Sequence, residues 1–425
     1  MNYLKFSIAL ILLFIFQPIK AQFTIDASLR PRFEYRHGFK TLFPDNTEPA
    51  TFISQRTRLN FGYKTEKLQL YLSPQDVRVW GDVPQLNVSD ENGISLHQAW
   101  AEIVLVPNFN LKLGRQEIVY DDQRFLGNVD WAQQGRSHDA AILKYEKDNS
   151  KFHLGVAYNQ DGEALTGNVL TGNTYKSLQY VWFHKAFKKI NTSFLFLNNG
   201  VQYIDELEGT KNETRYSQTA GIHMKTGVGK FKLTSNLYYQ FGKDRSNNSL
   251  NAYLVSLEGL YSFTENFRFG LGGERQSGND YGIPQDGTNK AFNPLYGTNH
   301  KFNGFMDYFY VGNHIDNVGL TDLYSNASYL FSPKTSIILN FHQFFASSKI
   351  DADISKNLGF ELDLVTSHSI SNVIAVKAGY SHFFAAKGTE NVKNNFDGNT
   401  NNWAWIMINI DPVLFNWKEN KTINN

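Results

Sequence analysis

The chain has 425 residues, 41% hydrophobic and 15% aromatic with 34 Phe and 22 Tyr, no cysteine, and a formal net charge of +1. There is no basic excess to displace counterions, which argues against nucleic-acid binding, and without cysteine there is no disulfide, thiolate metal site or lipidated N-terminal Cys. A mean hydropathy of −0.39 excludes a helical membrane protein but not a transmembrane barrel, whose lumen-facing polar residues dilute the lipid-facing ones.

Residues 1–21 read as a secretory signal peptide: Lys5 supplies the charge, residues 6–16 the apolar core, and Ile19-Lys20-Ala21 precedes a cleavage point before Gln22. The apolar run is too short to span a bilayer as a helix. Residues 23–36 then alternate strictly. Phe23, Ile25, Ala27, Leu29, Pro31, Phe33 and Tyr35 are apolar, while Asp26, Arg30, Arg32, Glu34 and Arg36 are charged. That is a β-strand with one greasy and one wet face, and its length suits a tilted membrane-spanning strand of about 9–11 residues with an extension.

The same pattern repeats along the chain. Residues 53–63 alternate, a tight Lys64-Thr65-Glu66 turn follows, and residues 67–80 carry Leu68, Leu70 and Leu72 on even numbers but Val77 and Val79 on odd ones. A bulge at Ser73-Pro74 is expected, turning Asp76, Arg78 and Trp80 inward. Further spans fall at 96–106, 109–120, 138–147, 151–159, 175–187, 190–199, 215–226, 230–241, 251–263 and 267–276, with blurred alternation in 175–199. Connectors alternate between tight (106–108, 147–150, 227–229, 264–266) and long (81–95, 121–137, 161–174, 201–214), as outer-membrane barrels sort periplasmic turns from external loops. The last spans are 320–331, 335–345, 355–366, 372–384 and 402–411. Parity at both ends then requires 277–319 to be one long external excursion. The expected fold is all-β: a closed antiparallel transmembrane barrel of about 18 strands over residues 22–417, followed by a polar tail, 418–425.

The 277–319 loop turns aromatic around His300, Phe302, Phe305, Asp307, Tyr308 and Tyr310. Such a cluster is a liability if left in water, so it either packs into the barrel mouth as a constriction or plug, or stacks on a ligand. In the spans, Arg30, Arg32, Arg56, Arg58, Arg78, Arg268 and Lys377 share the polar phase with Asp26, Glu34, Asp76, Glu102, Glu361 and Asp363. An Arg at the lipid midplane costs about 2–4 kcal/mol, which assigns these charges to the lumen. They either form an anion-selective lining or pair with one another as braces of the wall, and the sequence leaves both open. No clustered metal-ligand spacing and no Gly-x-Ser-x-Gly elbow occurs, so neither a metal, a cofactor nor an enzymatic activity is expected. A rim active site using His138-Asp139 is the residual catalytic alternative.

Leu113-Gly114-Arg115-Gln116, Arg124-Phe125-Leu126-Gly127, Trp131 and Gly135-Arg136-Ser137-His138-Asp139 resemble the signature of the alginate export family of outer-membrane porins. Asn293-Pro294-Leu295-Tyr296 and 300–308 are similar to that family's later landmark. The resemblance implies an 18-stranded monomeric barrel inserted in outer-membrane lipid by the barrel assembly machinery, passing an anionic polysaccharide. By matched position it places Arg115, Arg124, Arg136 and Asp139 at the mouth or lining. Uptake of small anions such as sugar acids is the alternative, and the direction of transport stays open.

Overall fold

The computed structural model describes residues 21–86, 93–204, 212–280, 287–309 and 317–418. Residues 1–20 of the expected signal peptide, Tyr310 and the tail beyond Lys418 lie outside them. Eighteen antiparallel strands close into a barrel. The first nine are β1 (Gln22–His37), β2 (Ala50–Lys64), β3 (Leu68–Val79), β4 (Ser95–Val106), β5 (Phe109–Gln116), β6 (His138–Lys147), β7 (Ser150–Tyr158), β8 (Tyr175–Phe187) and β9 (Ile190–Ile204). The others are β10 (Asn212–Val228), β11 (Phe231–Lys243), β12 (Ser249–Ser262), β13 (Phe267–Gln276), β14 (Leu320–Ser332), β15 (Thr335–Phe345), β16 (Asn357–Ser369), β17 (Ile374–Ala385) and β18 (Asn401–Ile410, resuming as Val413–Lys418).

Closure is made by the strand on which the sequence pattern is clearest. β1 pairs with β2 along its whole length, and on its other edge with β18, setting Arg32 opposite Met407 and Phe23 opposite Trp417. β18 breaks at Asp411-Pro412, where the proline has no N–H to give and instead accepts the Ala27 N–H at 3.0 Å through its carbonyl. As required by parity, β13 pairs directly with β14, with no wall strand between them.

Alternation sorts the side chains. Phe33, Leu59, Leu70, Leu72 and Leu271 are exposed on the outer wall, whereas Arg30, Arg32, Glu34, Arg56 and Arg58 on the opposite phase are buried inside. The blurred alternation of 175–199 has a physical cause. Leu178, Tyr180, Trp182, Leu195 and Leu197 point inward yet are buried, packed with Ile118, Phe125, Leu126 and Phe292 of the inserted loops. A wall strand with lipid on one face and a greasy plug on the other is apolar on both.

The bulge is real, but its consequence differs from the expectation. The register shift lies between Ser73 and Pro74 in the pairing with β4, where Ser73 faces Gln98 and Pro74 faces Leu96, so the extra residue is His97 of β4. Towards β2, the register of β3 sets Gln75 opposite Arg58 and Val77 opposite Arg56. The inner phase of β3 is therefore unbroken, and Asp76, Arg78 and Trp80 stay on the outer phase, opposite Thr57, Gln55 and their neighbours. Arg78 pairs there with Asp76 at 2.7 Å, and the Trp80 indole N–H donates to Gln55 Oε1 at 3.0 Å. β5 ends at Gln116, four residues before the expected end at Tyr120, because the chain turns into the barrel at that point.

Candidate functional site

Two long connections fold into the lumen and meet there. The first, residues 117–137, buries Ile118, Phe125 and Leu126 against the inner face of β8, β9, β11 and β12. The second, within 287–309, buries Met306, Tyr308 and Phe309 against Phe344, Phe383 and Trp403 of the opposite wall. They are joined main chain to main chain: Gly127 N–H donates to Tyr296 O (3.0 Å) and Thr298 N–H to Gln123 O (2.9 Å). The Arg136 guanidinium donates to Gly297 O at 2.9 Å. Val129 adopts a left-handed backbone (φ 50), unfavourable for a β-branched residue, and its N–H is held at 3.0 Å by Thr298 Oγ1. The strained residue immediately precedes Asp130 and Trp131, the tip of the insertion.

That tip is gripped by the arginines of β1 and β2. Arg30 reaches Asp130 Oδ2 at 3.2 Å and Gln133 Oε1 at 3.0 Å, and Arg56 reaches Asp130 Oδ1 at 2.7 Å. Arg32 donates to Trp131 O at 2.7 Å and lies 4.0 Å from the centre of its ring. Arg58 donates to Gln134 O at 3.2 Å and to Gln75 Oε1 at 2.8 Å. Burial opposes the charged form of the Asp130 carboxyl, yet Arg30 and Arg56 hold it below its ordinary range. These four arginines thus serve first as braces that seat a loop.

The opposite wall carries the complementary sign. Glu274, Asp322, Glu361 and Asp363 are buried on β13, β14 and β16. Arg124 of the first loop crosses the lumen to Glu274 and to Asn303 (3.0 Å), its guanidinium 4.3 Å from the Phe302 ring. His342 bonds Asp322 at 2.9 Å, and Glu361 accepts the Met306 N–H at 2.8 Å. The basic wall holds the first loop through its acid Asp130. The acidic wall holds the same loop through its base Arg124.

Where the loops meet, Trp131 stacks on His300, ring centres 4.7 Å apart, with Trp403 and Trp405 edge-on at 5.4 and 4.9 Å. His300 in turn bonds Asp307 at 2.9 Å, and the Tyr308 hydroxyl has the Gly38 and Thr41 carbonyls within reach of its one hydrogen. The aromatic cluster of the second loop packs in the mouth, as one of its two readings expected. On either side of Trp131 lies an open chamber. The outer, about 450 Å³, is lined by Arg32, Glu34, Arg36, Lys40, Ser54 and Asp307 among others. The inner, about 530 Å³, is lined by Arg30, Asp130, Lys301, Lys377, Trp403 and Trp405 among others.

The remaining expected residues are spread along the wall. Asp26 accepts from Asn60 at 2.6 Å, Glu102 pairs with Lys144 at 2.8 Å, and Arg268 lies exposed beside the 263–266 turn, opposite Ser262 and Ser328. Arg115 and Asp139 are not at the lining. Arg115 faces Ala99 and Asp139 in register, the phase of the lipid-facing Leu111 and Leu113, and pairs with Asp139 at 3.0 Å on the outside of the rim. Sequence reasoning missed Asp130, Gln133, Lys301, Trp403 and Trp405. Asp130 gave no signal, since its partners lie 74 and 100 residues away.

The family model for alginate export matches residues 21–321. The chain belongs to the alginate export family. Among solved structures it is similar to OccK11 (OpdR) of Pseudomonas aeruginosa, 14% identical with a TM-score of 0.61, over 94% of this chain and 100% of that one. It is also similar to OpdK of Pseudomonas aeruginosa in its structure with vanillate, 13% identical with a TM-score of 0.57, over 93% and 99%. OccAB4 of Acinetobacter baumannii is 14% identical with a TM-score of 0.61, over 94% and 99%. No curated protein matches. This alginate-export-family member is an outer-membrane porin-type barrel with two loops folded into its lumen.

Proposed function

We propose that this outer-membrane channel passes small anionic solutes of the sugar-acid class, monomers to short oligouronates, without changing them chemically. The observation that carries the reading is the inner chamber. Arg30, Lys301 and Lys377 line it, with Asp130 the one acid among its described lining residues and already engaged by arginines, while Trp131, Phe305 and Trp405 contribute apolar wall. Cations attract the carboxylate and the aromatic wall takes the apolar C–H face of a pyranose, which is the chemistry a uronate presents. Chambers of a few hundred cubic ångströms in series suit one or a few rings at a time. OpdK was solved with vanillate, itself a ring bearing a carboxylate.

Export of a long anionic polysaccharide is the second reading, favoured by the family match. The seated Trp131 argues for short cargo, because a polymer requires a continuous groove past the stack of Trp131 on His300. Swelling of proteoliposomes tests this. Glucuronate is expected to enter faster than glucose, with a steep loss of rate from dimer to longer mannuronate chains. Equal rates for glucuronate and glucose would overturn the anionic reading, and undiminished entry of long chains would favour the polymer.

A further inference from the structure

A third cavity, about 650 Å³, opens on the external side between the ends of β8 to β12 and the second loop. It shares no lining residue with the two chambers beside Trp131. The stretch 293–296 forms its floor, and behind that floor Tyr296 bridges to Leu126 of the first loop. Its chemistry is also different. Amide side chains dominate: Asn173, Asn199, Gln240, Asn279, Asn289 and Asn293.

The charged groups at this cavity are internally engaged. Arg245 donates to Asn173 Oδ1 at 3.0 Å and to Gln202 O at 3.2 Å. Lys243 donates to Ser249 Oγ at 3.2 Å, and Asp244 accepts from Asn289 at 3.0 Å and from the Asn248 N–H at 2.8 Å. Gln240, Asn279 and Asn289 are likewise bonded through both their oxygen and their NH2 group, whereas the other three amides are oriented by their oxygens alone. Asn199 gives its oxygen to the Tyr296 hydroxyl, Asn293 gives its own to the Leu295 N–H at 2.9 Å, and Asn173 to Arg245. Each therefore turns its NH2 group, a double donor, away from the bond that fixes it. Neutral donors fixed in orientation, with tied-down charges around them, match hydroxyl and ring oxygens and give no advantage to a carboxylate.

We infer that this external cavity is a binding site for a neutral saccharide, separate from the anion-conducting constriction. Its volume is within the ~300–1,000 Å³ of small-ligand sites. Fixed amide NH2 groups hold a polyol by donating to its hydroxyl and ring oxygens, without a net charge.

The test is equilibrium binding by the full-length protein in detergent micelles. Titration calorimetry would use a panel of neutral di- to tetrasaccharides (maltose, maltotriose, cellotriose, raffinose, stachyose) and a mannuronate trimer. At least one neutral sugar is expected to bind saturably, more tightly than the mannuronate trimer at this site. Asn199→Leu with Asn293→Ala is expected to weaken it at least tenfold. Trp131→Ala should leave that binding unchanged. Because Asn199 is buried, heat-modifiability on gels and unchanged ion selectivity must accompany the double substitution; Asn173→Ala, on an exposed loop, serves as the second variant. No saturable binding across the panel, or binding indifferent to the asparagines but lost with Trp131, would overturn the site. Loss of anion selectivity in the barrel would not, so the two readings fail separately.

Discussion

Arg30 and Arg56 stand directly opposite each other across the β1–β2 ladder, and they hold the two oxygens of one carboxylate, Asp130, at 3.2 and 2.7 Å. Two like charges facing across a ladder repel. Their proximity becomes favourable only because a loop 74 to 100 residues further along inserts an anion between them. The basic sector of the first strands is thus completed by the chain itself, and Lys301 and Lys377 are the cations of the inner chamber that Asp130 does not engage.

Replacing Asp130 by Asn keeps the shape but removes that anion. Asp130 is half exposed, so screening limits the loss of loop seating to about 1 kcal/mol. The freed guanidiniums then face the inner chamber. Anion preference, read from the reversal potential in a KCl gradient, is expected to increase, and current noise to rise as the loop loosens. A quieter channel or a fall in anion preference would contradict this role.

The same carboxylate sets an acid limit. Its value in the folded barrel lies below the unfolded one, about 3.9 for Asp. Its contribution to loop seating is therefore fully present above about pH 4 and is lost as pH falls through the lowered folded value. Conductance is expected to be steady from pH 7 to about 5 and to become noisy below about 4. In Asp130→Asn the noise should already be present at pH 7 and should not change across that range.

Arg124 is expected to matter more for assembly than for selectivity. It is buried against Glu274, and its removal leaves a buried carboxylate without its cation beside Asp322. Breaking such a pair costs about 3–5 kcal/mol. Arg124→Met should lower the temperature of the heat-modifiability shift markedly, and Arg124→Met with Glu274→Gln should recover much of it. Equal loss in single and double variants would exclude the pairing as the cause.

Gly379 faces Trp405 across β17 and β18, and a Cβ there would lie 2.4 Å from the indole. The ring lies over the bare backbone and so reaches the inner chamber. Gly379→Ala is expected to displace Trp405, at a cost of about 1–3 kcal/mol, and to shift tryptophan emission. Unchanged emission and uptake would show that the chamber does not depend on that ring.

Much of the barrel was legible because lipid on one side and polar lumen on the other impose a period of two on nearly every strand. The legibility fails where the lumen is filled. Leu178, Leu195 and Leu197 face an apolar plug, so β8 and β9 lose their contrast. The direction of the bulge was misread for a similar reason: Val77 and Val79 are apolar yet inward at the mouth, while the Arg78–Asp76 and Arg115–Asp139 pairs neutralise charge on the outer phase near the rim. Alternation identifies a face only while that face has one kind of neighbour. The constriction itself was half legible: the aromatic 300–308 stretch announced that it had to be packed. Nothing in 117–137 announced that Asp130 and Trp131 would be seated on β1.

The central claim is that anions are drawn through the chamber beneath Trp131 by Lys301 and Lys377. The most direct measurement is the single-channel reversal potential under a KCl gradient for the wild-type protein and for Lys301→Gln with Lys377→Gln. The account predicts an anion-preferring wild type and a preference much reduced in the double variant, with glucuronate block lost in parallel. A cation-preferring wild type, or selectivity indifferent to both lysines, would contradict it.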